Sequence, residues 1–221
     1  MTPRILTTSL ALVLCSAAVF AQNSTPPASA VELETLYTTT LEDRAADILK
    51  ALSLTNDTDA VTVHDLIIAQ YRVMRSRDAL IDAQLKAMGK DVSYQNRASQ
   101  LQAESKSLHA YFFGKLAEKL TPDQVEKVKD KMTYNKVKVT YDAYLAIVPG
   151  LTDADKAKIM EWLKAAREEA VDGGSAPEKS AIFQKYKDQI NGYLNANGHD
   201  TAKAFKDWAD AHPNTNNPVA K

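Results

Sequence analysis

A chain of 221 residues with 27 basic and 28 acidic side chains lacks the positive surplus that a nucleic-acid partner requires. Its one cysteine, Cys15, lies in the first apolar stretch, so removal of that stretch leaves no disulfide, thiolate metal site or cysteine nucleophile. Stability must then come from an apolar core, and the roughly 200 residues that remain suffice for one domain.

Arg4, the mostly apolar run from Ile5 to Val13 and the mainly small residues from Ala17 to Ala21 have the pattern of a secretory signal peptide. Residues 1–21 are read as that signal, with Val19 and Ala21 at the recognition positions of the cleavage site. The run is too short to span a bilayer, and Leu14 is too bulky ahead of Cys15 for a lipidation site. The mature chain is expected outside the cytoplasm, periplasmic or secreted, with no transmembrane segment. Residues 22–30, QNSTPPASA, read as a flexible N-terminus.

From Val31 the apolar residues recur at helical spacing. Leu33, Tyr37, Leu41, Ile48 and Leu52 predict a helix over about 31–53; Val63, Ile67, Tyr71, Met74, Ile81, Leu85 and Met88 predict another over about 58–88, stopped by Gly89. A third stripe runs through Tyr94, Leu101, Leu108, Phe112 and Leu116 towards Leu120. In LTPDQV, Thr121 is placed to cap, Pro122 suits the first helical position, Gln124 completes a capping box, and Leu120 and Val125 form a hydrophobic staple. Similar devices at Thr152–Asp155 and Ser175–Glu178 put helix starts near 122, 153 and 177. KVKVTY at 136–141 alternates like a strand but has no second strand to pair with, so it is read as an extended connector into a short helix at about 141–147. Asn197-Gly198 ends the helix begun at 177, a last helix covers about 201–211, and 212–221 is a disordered tail. The expected fold is all-α: a single-domain irregular bundle of about seven helices over 31–211, without a sheet.

Catalytic signatures are absent from this pattern. His64, His109, His199 and His212 are scattered, with no second ligand three or four residues away, and there is no phosphate loop, nucleophile elbow or HExxH motif. No cofactor or metal is expected. One helix carries Lys179, Lys185, Tyr186, Lys187, Asn191 and Tyr193, and basic donors beside aromatic rings suit an acidic sugar. The plainer alternative is a buried stripe of Phe183, Tyr186, Ile190, Tyr193 and Leu194 with the lysines in water. Glu168 and Glu169 point about 100° apart on a helix, so they do not flank a scissile bond. Three charges fall on apolar faces: Asp78 among Val63, Ile67, Met74, Ile81 and Leu85, Arg44 between Leu41 and Ile48, and Arg167 within the Met160, Leu163 and Ala170 face. A lone buried charge is strongly disfavoured, so Asp78 is expected to be at least partly buried and to meet Arg44 or Arg167.

The stretch LTPDQVEKVKDKMTYNKVKVTYDAYLAIVPGLT, followed by AAREEAVDGGSAPEKSAIFQKYKDQINGYL and NGHD, resembles a family of small exported bacterial proteins of unknown function, number thirty-eight twenty-six. The likeness covers about Leu33 to Ala202. It implies a companion of polysaccharide breakdown that binds sugar, with the lysine-tyrosine-lysine wording on Lys185, Tyr186 and Lys187 and the asparagine on Asn191. The chain departs from the family wording at Gln184 and at Gln189, where the family carries an arginine suited to an anion. LTPDQ also resembles the signature of Spy-like periplasmic chaperones, although a capping box accounts for it. The leading expectation is a non-catalytic, extracytoplasmic protein whose partner is carbohydrate, with acidic plant polysaccharide as the implied class. The alternatives are a Spy-like holdase and an enzyme with an unrecognised helical active site.

Overall fold

The computed structural model describes residues 29–213, apart from the side chains at 94, 99 and 101–103. The expected signal at 1–21, residues 22–28, the part of the expected tail beyond 213 and the side chains of Tyr94 and Leu101 therefore lie outside the described residues. Among those described there are eight helices and no strand: α1 Ala30–Leu52, α2 Asp57–Ala87, α3 Tyr94–Ala117, α4 Pro122–Met132, α5 Lys136–Ile147, α6 Asp153–Ala170, α7 Ala176–Ala196 and α8 Thr201–Ala211. No helix among them is long and apolar enough to cross a membrane.

Side-chain caps set most of the starts. Thr121 accepts from the Gln124 amide while the Gln124 side chain accepts from the Thr121 amide, satisfying two otherwise orphaned N–H groups; Thr152 and Asp155 do the same for α6. Ser29 and Glu32 form a third such box, with Ser29 as the cap, so α1 opens at Ala30, the last residue of the stretch read as a flexible N-terminus. Ser175 accepts from the Glu178 amide at the head of α7. Gly89, at φ 68, supplies the left-handed residue that closes α2.

KVKVTY is helical rather than extended. Val137, Thr140, Ala143, Tyr144 and Ile147 are the buried residues of α5, at spacings of three, three, one and three, while Val139 faces outward. The alternation of valines was real, but the longer 3.6-residue pattern decides which face is buried.

The buried apolar residues form two main clusters. One joins α1 to α4 through Leu41, Ile48, Ile67, Met74, Phe112 and Leu116; the other joins α5 to α8 through Tyr144, Ile159, Leu163, Phe183, Ile190 and Leu194. Each fully buried side chain of this kind stabilises the fold by about 1.5–3 kcal/mol. Both tryptophans, Trp162 on α6 and Trp208 on α8, pack against the second cluster. Val171, just past α6, crosses to the first. The chain passes from one half to the other at Thr133–Asn135, where Tyr134 and Asn135 are both left-handed, at φ 59 and 54. The Asn135 amide donates to the Asp130 carbonyl at 2.7 Å, so α4 ends in a Schellman-type turn with tyrosine where glycine is usual.

Candidate functional site

Helices α6 and α7 run antiparallel, and their register aligns two clusters on one outer face. At one end Trp162 and Tyr193 meet edge to face, with ring centroids 5.3 Å apart, and Lys158 Nζ lies 5.4 Å from the Trp162 ring. At the other end Glu169 Oε2 accepts from Lys185 Nζ at 2.5 Å and from the Tyr186 hydroxyl at 3.2 Å. Lys185 Nζ also sits 4.8 Å over the Tyr186 ring. Burial and the Glu169 charge both push the Tyr186 hydroxyl above its usual pKa, so it stays a neutral donor. Tyr186 and Tyr193, like Trp162 and Glu169, are seven residues apart, about 10.5 Å at 1.5 Å per residue. All three rings are half-buried, with one side packed on the core and the other in contact with solvent.

Lys187 and Asn191 do not join this face. They project towards α5, where the Tyr144 hydroxyl donates to Asn191 Oδ1 at 2.8 Å and lies 3.3 Å from the Lys187 carbonyl. Lys187 is only 3% exposed, and burial, reinforced by the charge of Lys136, pulls its ammonium pKa down. The five residues Lys185, Tyr186, Lys187, Asn191 and Tyr193 are thus divided between two sides of α7. Lys187 is not one of the solvated lysines of the amphipathic reading, because its position on the helix falls on the buried stripe with Phe183, Ile190 and Leu194.

The expected grouping of Arg44, Asp78 and Arg167 is corrected by the structure. Asp78 is largely buried, but its partner is Arg77, whose Nε and Nη2 reach Asp78 Oδ1 at 3.0 and 2.8 Å. Arg44 lies over the Tyr71 ring at 5.3 Å. Arg167, 4% exposed, turns to α4 and α6, where it pairs with Asp130 at 2.6 Å and with Glu126 and Glu168. Each charge found a closer partner within its own neighbourhood, which the helical wheel of one element does not reveal.

The region where Asp78 lies is a polar seam between the two halves. Arg77, 5% exposed, donates from Nη1 to Ser105 Oγ at 2.7 Å and from Nη2 to the Asp172 carbonyl at 2.6 Å. His109 Nδ1 stands 3.1 Å from the Asp172 carboxylate, and Arg97 bridges Asp82 and Glu178 at 2.8 and 2.7 Å. Gly174 donates its amide to Glu178 Oε2 at 2.9 Å and lies so close to Asp78 that a Cβ there would be 1.6 Å from Oδ2. Beneath the turn, Lys179 is 1% exposed and donates to the Ala170 and Val171 carbonyls at 3.0 and 3.3 Å, closing the C-terminus of α6. Burial pulls its ammonium pKa from 10.5 to about 8, with Asp172 and Glu178 resisting and Arg44 and Arg77 assisting. Sequence reasoning placed Lys179 either in the sugar-contacting cluster or among the solvated lysines, and singled out Arg77 not at all. The signal available was the helical position of Arg77, next to Asp78 and midway between Met74 and Ile81.

Among the described residues no group of three or more His, Cys, Asp or Glu side chains is placed to hold a metal ion. The seam carboxylates Asp78, Asp82 and Glu178 are engaged by arginines, and Asp172 by His109. No curated protein matches the chain. The family model described as protein of unknown function, DUF3826, matches residues 38–212, from within α1 to the residue after α8, and the chain belongs to that family.

Proposed function

We propose that the protein is an exported, non-catalytic carbohydrate-binding protein whose contact surface is the outer α6–α7 face. The observation that carries this reading is the pairing of half-exposed rings with fixed polar groups: Trp162 and Tyr193 at one end, Tyr186 with Glu169 and Lys185 at the other. Ring faces stack on the apolar faces of sugars, while carboxylate, ammonium and phenol groups exchange hydrogen bonds with hydroxyls. A separation of about 10.5 Å along the helices lets the two ends address two sugar rings of one short oligosaccharide. Lys187 is buried and Lys185 is already paired, so stacking and hydroxyl recognition, not uronate charge, carry the binding.

A glycan array followed by calorimetry, using neutral and uronic oligosaccharides, tests the reading. Binding is expected, and Tyr186→Ala should weaken it by at least about ten-fold, as truncation of an aromatic anchor does. Absence of binding to any glycan at millimolar concentration refutes it.

One observation favours a second reading, an exported holdase. Val73, Leu80 and Leu108 line an open groove of about 390 Å³ between α2 and α3, with Leu80 64% exposed. Exposed apolar surface of this kind can hold unfolded chains. Suppression of aggregation of a denatured client, lost on Leu80→Lys, is the result that would favour it.

A further inference from the structure

The way the two halves meet is independent of the carbohydrate face. We propose that the protein is a two-lobed clamp, in which α1–α4 and α5–α8 open against each other about Thr133–Asn135 and the ion pairs of the seam are the latch.

Three observations support this. The apolar cores of the lobes are separate, with Val171 as the side chain that crosses between them. Between the lobes lie charged contacts instead: Arg97 to Glu178, His109 to Asp172, Arg77 to the Asp172 carbonyl, Lys129 to Glu168 at 2.8 Å, and Arg167 to Asp130 and Glu126. An apolar seam resists opening in proportion to the area exposed. A partly buried ion pair is different, because its desolvation nearly offsets its attraction, and both groups recover water when the lobes part. Such a seam fixes one closed geometry and still costs little to open.

The third observation is the connection. Tyr134 and Asn135 are consecutive left-handed residues without glycine, a conformation that side chains disfavour and that asparagine tolerates better than tyrosine. Its hydrogen bonds, from the Tyr134 amide to the Lys131 carbonyl at 3.0 Å and from the Asn135 amide to the Asp130 carbonyl, are local to the end of α4 and are kept when the lobes part, so this turn is the pivot.

A latch variant and a pivot control test the clamp. The full chain carries Cys15→Ser, with spin labels at Ala46→Cys on α1 and Gln189→Cys on α7, both exposed positions. Pulsed electron resonance then reads the distance between lobes. Arg97→Gln with Asp172→Asn leaves the buried Glu178 without its arginine, a cost that water relieves when the lobes part, and should raise the longer-distance population by at least about ten-fold. Tyr134→Gly relieves strain that both forms carry, so when added to the latch variant it should leave that population unchanged. One unchanged distance across all variants overturns the proposal. So does loss of helical signal in the latch variant, because lobes with their own cores must survive the opening of the seam.

Discussion

Replacing Lys179 with methionine should remove a pH dependence that has the same sign as acid denaturation but lies on the alkaline side of neutrality. The folded ammonium has a pKa of about 8 and the unfolded one about 10.5, so the unfolded state binds more protons between these values. Wild-type stability therefore gains as pH rises through 8; the gain is complete above 10.5 and is lost as pH falls through 8. The whole interval corresponds to about 3 kcal/mol, of which about 2 kcal/mol is reached between pH 7 and 9.5. For a domain of this size, that is a shift of about 4–8 °C in Tm. Methionine keeps the length of the side chain and loses both the charge and the hydrogen bonds to the Ala170 and Val171 carbonyls. The hydrogen-bond loss does not vary with pH, so the difference between wild type and variant isolates the proton. Thermal unfolding followed by circular dichroism at pH 7, 8.5 and 9.5 gives the comparison. A wild-type-minus-variant difference that stays flat or falls with rising pH would show that Lys179 is not a charged group held out of water.

Gly174→Ala should displace the Asp78 carboxylate and cost about 3 kcal/mol, as breaking a buried pair does, because Arg77 then loses its partner. In an Asp78→Ala background the same substitution should be close to neutral, and urea denaturation of the four proteins in the cycle measures the coupling. Additive costs would mean that the two residues do not share one contact. Thr152→Ala should lower stability by about 1 kcal/mol through loss of the α6 cap, again read by urea denaturation. Asp155 accepts hydrogen bonds from the Thr152 hydroxyl and amide, which lower its pKa, so its contribution is present above pH 3.8 and is lost as pH falls through the lower folded value. Asp155→Asn should flatten that part of the acid unfolding curve, and an unchanged curve would contradict the assignment.

Helix starts were the most legible part of the fold because a cap is local chemistry. Thr121 to Gln124 and Thr152 to Asp155 announce α4 and α6 within four residues each, and the third device, at Ser175, places the start of α7 one residue from where it lies. Ser29 to Glu32 has the same form and was hidden by the small polar residues before it. KVKVTY misled because two periods overlap there, and the buried set extends beyond the six residues that alternate. At the candidate site, the i,i+7 relation of Tyr186 and Tyr193 was visible in the chain, as was the different stripe holding Lys187 and Asn191. Which stripe faces water depends on where α5 and α6 pack, and no residue of α7 encodes that. The seam was the least legible of all. Lys179, Arg77 and Glu178 are charged residues in amphipathic helices, and their burial arises from α2, α3 and α7 meeting across nearly a hundred positions of sequence.

The two tryptophans give the molecule an unequal optical signature. Trp162 and Trp208 both report on the core of α5–α8, whereas the core of α1–α4 is built around Phe112 and Phe113 with tyrosine at its edge and emits weakly beside indole. Indole fluorescence therefore follows the second half alone, while far-ultraviolet ellipticity follows every helix. Coincident melting curves from the two signals would mean that the halves unfold as a single cooperative unit. Separated curves would resolve the halves in unmodified protein, with no label and no truncation.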